Sequence, residues 1–213
     1  MIISHGRRYI FVHIPKTGGT SMALALEARA KADDILIGDT PKAVKRRHRL
    51  KDVQVSGRLW KHSRLSDIYG LVAQEQVADY FTFTLVRNPW DRMVSYYHWL
   101  RGQGFEHPAV RLAKAHDFSA FLNHPHTQAS FRTETFGSYM LDQKGQEQCG
   151  AFIRLEHLAD DIAPLEAHLG FTLDIPHENA SDRDGYHGYY SDDDAGMLAK
   201  LCAEDIERFG YSF

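Results

Sequence analysis

The sequence is poor in cysteine and contains no long hydrophobic run. Of its 213 residues only two are cysteine, Cys149 and Cys202, too few for a disulfide framework or a cysteine-rich zinc site. The apolar runs are only a few residues long, whereas a membrane-spanning helix needs about 20, so we expect no membrane span. The N-terminus enters a strand-like run at once and lacks the apolar segment of a signal peptide. These absences favour a cytoplasmic protein.

The composition that remains is typical of a folded globular protein. Apolar residues make up 43% of the chain and charged residues 25%, which excludes a disordered or collagen-like polypeptide. Because domains commonly span about 100–200 residues, the length predicts a single domain over residues 1–213. The chain contains 13 histidines, an excess that first suggests a metal site.

The formal net charge of −3 conceals a gradient along the chain. Residues 1–62 carry a net charge of +8 and residues 156–213 a net charge of −11. A basic third in a mildly acidic chain indicates a local anion site and no nucleic-acid partner, since a nucleic-acid surface is more often basic overall with interleaved aromatics. Within it, residues 42–51 hold six cations, which either form a solvated loop or recruit an anionic acceptor.

A strand, a glycine turn and a helix are predicted within the first 30 residues. Residues 8–14 are β-branched and aromatic, as is typical of a buried strand. Gly18 and Gly19 permit a tight turn, and residues 22–30 are rich in helix formers. The Thr-Ser pair between the turn and this stretch provides the cap expected at a helix start.

A second strand, followed by a turn and a helix, is predicted around residue 86. Residues 80–86 indicate a second buried strand, after which Asn88 suits an N-cap and Pro89 the first helical position. Strands that alternate with helices predict an α/β fold with a central, mostly parallel sheet flanked by helices. Apolar residues on one face of the helix after Pro89 are expected to be buried, namely those at positions 90, 93, 94, 97 and 100. Further helices are predicted at about 66–76, 117–123, 155–169 and 192–208.

The first turn has the chemistry of an anion site. Residues 14–21 have the sequence IPKTGGTS, in which the glycines let backbone N–H groups approach an anion and the helix adds its positive end. Lys16 adds a cation, and Thr20 and Ser21 add hydroxyl donors. The motif differs from the common P-loop, in which the lysine follows the glycines. The alternative is an ordinary glycine turn with a solvated lysine.

The second turn offers an arginine at the end of a strand. Arg87 can bind a phosphate through two parallel hydrogen bonds. Ser95 lies on the same helical face as Asp91, four residues earlier, so its hydroxyl can point back toward the turn. Arg87 and Ser95 therefore predict a second anion pocket, although each residue by itself is equally compatible with a structural role.

Taken together, the two motifs resemble a known family. Residues 11–21, FVHIPKTGGTS, resemble the 5′-phosphosulfate-binding loop of sulfotransferases, and residues 85–97, LVRNPWDRMVSYY, resemble their 3′-phosphate-binding segment. The similarity is closest to the branch related to the heparan sulfate 2-O- and carbohydrate sulfotransferases, which has small bacterial members. Looser similarities extend over nearly the whole chain.

The resemblance implies a P-loop-like, three-layer α/β fold that binds 3′-phosphoadenosine 5′-phosphosulfate (PAPS). It also implies transfer of the sulfuryl group to a hydroxylated acceptor such as a carbohydrate, with 3′-phosphoadenosine 5′-phosphate (PAP) as the product. By position, Arg87 and Ser95 would hold the 3′-phosphate, and a loop around Asn179 and Ser181 would fold over the cofactor. The residues that would hold the 5′-phosphosulfate are Lys16, Thr17, Gly18, Gly19, Thr20 and Ser21.

Sulfuryl transfer requires stabilisation of the leaving group and a base for the acceptor. Lys16 would stabilise charge on the departing 5′-phosphate, and no metal is expected because a sulfuryl group carries less charge than a terminal phosphoryl group. Histidine suits the base near neutral pH. We choose His62, which lies between the two motifs and matches a histidine position of the family, and treat the other histidines as structural or acceptor-side residues.

Two other classes of protein stay open. A P-loop kinase or NTPase would bind nucleotide phosphates at the first turn and Mg²⁺ at a strand-end carboxylate, for which Asp39 is suitably placed. The order of lysine and glycines, and Arg87 at the end of the second strand, argue against this class. A non-catalytic nucleotide- or glycan-binding module would keep Lys16 and Arg87 but would need no base.

Overall fold

The computed structural model describes residues 1–176 and 185–213. These residues form two compact units. The first comprises Met1–Val86 with the described part of Phe136–Asn179, and the second comprises Arg87–Thr135 with the described part of Ala180–Phe213. The single domain over residues 1–213 stays a prediction.

The first unit is built on a five-stranded sheet with the order β3-β1-β2-β4-β5. β2, β4 and β5 are parallel neighbours, whereas β1 is antiparallel to both β2 and β3. Among the described strands, four therefore run in one direction and β1 runs in the other, which confirms the mostly parallel sheet. The strands are β1 (Ile2–Ser4), β2 (Tyr9–Val12), β3 (Ile35–Leu36), β4 (Phe81–Val86) and β5 (Ala151–Arg154).

Helices flank the sheet in the first unit and make up the second. The α-helices are α1 (Gly19–Ala28), α2 (Pro41–Arg46), α3 (Gln74–Asp79), α4 (Pro89–Arg101), α5 (Pro108–Ala115), α6 (Phe118–Leu122), α7 (Pro125–Thr133), α8 (Leu158–Asp161), α9 (Ala163–Leu169), α10 (Asp192–Leu201) and α11 (Ala203–Phe209). Short 3₁₀ helices cover Arg47–Leu50, Leu65–Asp67, Gly137–Met140, Leu155–His157 and Tyr186–Tyr189. Within the described residues, no helix is both long enough and apolar enough to cross a membrane.

Local sequence patterns predict most of these elements, but not their continuity. The helix predicted at 117–123 is confirmed as α6, whereas those predicted at 155–169 and 192–208 are each interrupted, at Ile162 and Cys202. The predicted helix at 66–76 is wrong, since the chain forms a 3₁₀ turn at Leu65–Asp67 and enters α3 only at Gln74. Gly70, with a φ of 110°, interrupts that stretch because this conformation cannot continue a helix.

An aromatic core holds α1 against the sheet. Tyr9 and Phe11 alternate along β2 so that both face the same side, where they cluster with Phe83 of β4 and with Met22 and Leu26 of α1. All five side chains are buried, and each burial of this kind contributes about 1.5–3 kcal/mol. This packing fixes the start of α1 relative to the end of β2 and so determines the path of the loop between them.

The second unit has its own core around α4. The apolar face predicted for this helix is confirmed, because Trp90, Val94 and Tyr97 are buried and pack with residues of α5, α6, α7 and α10. The indole Nε1 of Trp90 donates to the carbonyl oxygen of Ala195 at 3.1 Å. The start of α4, and with it Arg87, is thereby held in place.

Candidate active site

The loop between β2 and α1 leads directly into the positive end of a helix. Helix α1 begins at Gly19, and Gly18 before it has a φ of 84°, a left-handed conformation that favours glycine. The cap predicted at the Thr-Ser pair is therefore wrong: no side chain among the described residues caps α1, and its first turn contains no acidic residue. An uncapped helix start of this kind is suited to bind an anion.

Both glycines of the loop are also required by their neighbours. A Cβ atom on Gly19 would lie 2.2 Å from Cδ2 of His13 and 2.5 Å from Nε2 of the same ring. A Cβ atom on Gly18 would lie 2.7 Å from a methyl carbon of Leu155. The ring of His13 is only 8% exposed and has little room to move, so the loop can follow this path only with glycine at both positions.

We expect Gly19→Ala to destabilise the protein by about 1–3 kcal/mol, because the new methyl group must displace the buried ring of His13. The matched control is Gly196→Ala in α10, where a Cβ atom would meet nothing within 4 Å. Removing a glycine from a helix interior there should raise stability by up to about 1 kcal/mol. Urea unfolding of both variants measures the two effects, and equal stabilities would contradict the proposed contact.

The polar residues of the loop have distinct environments. Lys16 is half-buried and has a φ of 66°, a strained conformation for a residue other than glycine that is retained mostly at functional sites. Thr17 is fully buried, and its hydroxyl donates to the carbonyl oxygen of Ile14 at 3.0 Å. Thr20 is exposed, whereas Ser21 is buried. The hydroxyl of Thr17 therefore maintains the shape of the loop.

His62 contacts His13, the residue whose ring lies against Gly19 of this loop. Its Nδ1 is 2.8 Å from the backbone carbonyl oxygen of His13, and the two rings meet edge to face at 4.7 Å. Because a carbonyl oxygen only accepts hydrogen bonds, Nδ1 must carry the proton and Nε2 the lone pair. The structure thus brings the predicted base beside the predicted anion loop, with the proton-accepting nitrogen defined.

Burial keeps both histidines neutral. It lowers the pKa of His62 to about 4, an effect that the hydrogen bond to His13 opposes and the nearby charge of Lys61 reinforces. Burial, with smaller contributions from neighbouring charges, also lowers the pKa of His13 well below its ordinary value. At neutral pH Nε2 of His62 is therefore unprotonated, and a pKa this low makes the ring a weak base in the free protein.

Asp39, the aspartate considered as a Mg²⁺ ligand, is a salt-bridge residue in this structure. Its carboxylate lies 2.8 Å from Nζ of Lys61 and 3.7 Å from the guanidinium of Arg47. The hydrogen bond from Lys61 lowers the pKa of Asp39. In the part of the chain that the structure describes, no group of three or more His, Cys, Asp or Glu residues is arranged to hold a metal ion.

In the second unit, Arg87 is oriented by an acidic residue one turn later. Its Nε and Nη2 atoms lie 2.9 Å and 2.7 Å from the same carboxylate oxygen of Asp91, and its side chain is 16% exposed. The sequence-based prediction placed Asp91 only on the helical face of Ser95 and did not include this contact. The (i, i+4) spacing of opposite charges is the signal that indicates it.

The start of α4 confirms the local prediction. Asn88 is the N-cap and accepts from the backbone N–H of Trp90 at 3.0 Å, while its own amide donates to the carbonyl oxygen of Ser212 at 2.9 Å. Pro89 occupies the first helical position. Ser95 lies two turns further along the same helix and is half-buried. Arg87 and Ser95 are therefore presented by one rigid segment.

Two predicted site residues lie outside the described residues. These are Asn179 and Ser181, which fall in the segment 177–184. The expectation that their loop covers the cofactor stays a prediction.

Part of the histidine excess serves to cap helices. Nδ1 of His107 accepts from the backbone N–H of Ala109 at 3.2 Å, and Nδ1 of His124 accepts from that of His126 at 3.1 Å. In both cases a proline follows as the first helical residue, at the starts of α5 and α7. The His-Pro-His sequence at 124–126 is thus a helix start.

A strand, a glycine loop and an uncapped helix on a mostly parallel sheet are characteristic of P-loop-like α/β proteins that bind phosphate or sulfate groups. Comparison with protein families is more specific: the model of the Sulfotransferase family matches residues 1–212. The chain belongs to this family and is a transferase of sulfuryl groups. The closer similarity to the branch related to the heparan sulfate 2-O- and carbohydrate sulfotransferases stays a prediction.

Among solved structures, the chain is similar to the mouse sulfotransferase SULT7A1, which was crystallised in complex with PAP. The identity is 16% and the TM-score 0.46, and the alignment covers 93% of this chain and 82% of that chain. A search of curated proteins finds no match.

Proposed function

We propose that this sulfotransferase uses PAPS as its donor and transfers the sulfuryl group to an acceptor hydroxyl with His62 as the base. PAPS supplies a sulfuryl group attached to its 5′-phosphate. The observation that carries the proposal is the contact of His62, whose Nε2 is unprotonated, with His13, the residue that directly precedes residues 14–21. An anion site and a base are the two elements that sulfuryl transfer needs.

The glycine loop fits a phosphosulfate group. Gly18 and Gly19 let the loop follow its path against Leu155 and His13, and the uncapped start of α1 provides N–H donors and a partial positive charge. Lys16 adds the full positive charge that stabilises the 5′-phosphate as it becomes the leaving group. Thr20 and Ser21 donate their hydroxyls, and Thr17 maintains the loop.

His62 accepts the proton of the acceptor hydroxyl. The oxygen of that hydroxyl forms the new bond to sulfur, the bond from sulfur to the 5′-phosphate oxygen breaks, and PAP leaves. The hydrogen bond from Nδ1 to His13 holds the ring in the tautomer that the step requires. A bound anion nearby raises the pKa of His62 from its low value in the free protein, because negative charge stabilises the imidazolium.

Arg87 and Ser95 bind the 3′-phosphate in this proposal. A guanidinium forms paired, charge-assisted hydrogen bonds with a phosphate, and Asp91 holds Arg87 in one orientation beforehand. The loop around Asn179 and Ser181 folds over the nucleotide. The acceptor is a hydroxylated molecule, for which the sequence suggests a carbohydrate.

Calorimetry with PAP and ADP tests the nucleotide specificity. We expect Arg87→Ala to weaken PAP binding by about 10–100-fold, since hydrogen bonds between charged groups contribute about 1.5–3 kcal/mol, and to leave ADP binding unchanged. The matched control is Arg111→Ala, which removes an exposed arginine paired with Glu106 and should change neither affinity. A wild-type protein that does not distinguish PAP from ADP, or that prefers ADP, would refute the proposal and favour a kinase or NTPase.

A further inference from the structure

A cavity of about 490 Å³ lies in the first unit. Trp60 and Lys61, which directly precede His62 in the chain, are among its lining residues. This volume is typical of pockets that bind small molecules. Its walls come from the end of β3, from α2 and the 3₁₀ helix after it, and from the segment around Trp60. The proposed donor site does not use these walls.

The cavity has an apolar floor. Six of the eleven lining residues are apolar, namely Leu36, Ile37, Ala43, Leu50, Leu59 and Trp60. Trp60 is 41% exposed, an unusual exposure for the largest apolar side chain. A floor of this composition offers few hydrogen-bond partners to a sugar but a good contact surface to an alkyl chain or a ring.

The rim of the cavity is positively charged. Arg47, Lys51 and Lys61 line it, and Asp39 is the acidic residue in the lining. Asp39 pairs with Lys61 and Arg47, so one carboxylate faces three cations. Among the described residues, Lys51 forms no ion pair, which leaves it the cation best able to bind an anionic ligand.

Two of the six cations of the basic run at 42–51, Arg47 and Lys51, are among these lining residues. Other members of the run are anchored to the protein, since Arg46 donates to the carbonyl oxygens of Lys31 and Asp34 at 2.8 Å and 3.1 Å. Arg47 and Lys51 instead line the cavity. The run is therefore largely helical rather than a loop, and it contributes Arg47 and Lys51 to the cavity.

Trp60 connects the cavity to the proposed base. Its ring meets that of His62 edge to face, with 5.0 Å between centroids. A ligand that lies on the exposed part of Trp60 is thus separated from His62 by the width of one side chain. Trp60 therefore both lines the cavity and contacts the proposed base.

We propose that this cavity binds the acceptor and that the acceptor is an amphipathic anion, with an apolar body on the floor and a carboxylate at Lys51. This inference rests on the proposed function for the statement that the ligand is the acceptor. Binding itself does not require the donor, so the two can be tested separately. The carbohydrate suggested by the sequence becomes the competing outcome.

The test is calorimetry of the full chain, without nucleotide, against three hydroxylated probes. ω-Hydroxydecanoate has both features, decanediol lacks the anion, and glucuronate lacks the apolar body. We expect ω-hydroxydecanoate to bind at least about 5-fold more tightly than either of the other two probes. A factor of about 5 is the upper range for the effect of an exposed charge contact. Lys51→Gln should remove that advantage over decanediol, whereas Lys45→Gln, in the same basic run but outside the cavity lining, should preserve it.

Several results would overturn the inference. Tighter binding of glucuronate would assign the cavity to a sugar acid, and equal binding of decanediol would show that the anion is not recognised. Absence of binding by all three probes, or equal losses in Lys51→Gln and Lys45→Gln, would also reject it. PAP binding by the same protein is measured in parallel. Its absence would count against the proposed donor and would be distinguished from a failure of the cavity to bind the probes.

Discussion

Replacement of His62 by alanine is expected to lower the turnover number by about 10²–10⁴-fold, the contribution of a general base. The affinity for PAP should stay within about twofold, as for substitutions away from a binding contact, because the ring contacts His13 and not the glycine loop itself. Steady-state kinetics and calorimetry on the same preparation measure the two quantities. Loss of turnover with normal PAP binding is the signature that a non-catalytic module could not produce.

Two further variants separate proton acceptance from positioning. The amide of His62→Asn can still donate to the carbonyl oxygen of His13 but cannot act as a base, so it should lose as much turnover as alanine. His126→Ala removes an exposed histidine and should change nothing. Turnover of His62→Ala within about threefold of wild type would remove His62 from the mechanism, since a general base contributes about 10² or more.

The pH dependence of stability gives an independent check on His62. Its pKa of about 4 in the folded protein lies below the value of about 6.5 for an exposed histidine. The unfolded state therefore binds more protons between these pH values, and the contribution of the neutral ring to stability is lost as pH falls from about 6.5 to 4. In urea unfolding, wild type should lose more stability across this window than His62→Asn.

Replacement of Lys16 by alanine is expected to lower the turnover number by about 10²–10³-fold, as does removal of a group that stabilises developing negative charge. PAP affinity should fall about 10-fold or more, because a charge-assisted contact is lost. Lys45→Ala, which removes an exposed lysine of the basic run, is the matched control. A normal turnover number with weakened binding would show that Lys16 holds the nucleotide but does not stabilise the leaving group.

Stability measurements on Lys16 variants show why lysine occupies a strained position. Lys16 has a φ of 66°. The variant Lys16→Gly should therefore be more stable than Lys16→Ala by up to about 1 kcal/mol, because release of the left-handed strain exceeds the added backbone entropy of glycine. Both variants should lack turnover. Such a result indicates that the strain is retained for the side chain.

Local rules account for the elements that carry the site. The two strands predicted at 8–14 and 80–86 are β2 and β4, and Asn88 and Pro89 begin α4 as predicted. These predictions succeed because caps, prolines and apolar runs act over a few residues. The cap of α1 was predicted wrongly because the helix starts at Gly18 and Gly19, which lie against Leu155 and His13, residues outside the turn.

By itself, the sequence determined the class of this protein: two motifs predicted to bind anions, each between a strand and a helix, resemble those of sulfotransferases, and the family match confirms this class. The tertiary structure decided which nitrogen of His62 carries the proton, how Asp91 orients Arg87, and that a charged cavity lies beside Trp60. These features depend on contacts between side chains and on burial. A local pattern encodes neither, because both arise only when distant segments of the chain pack together.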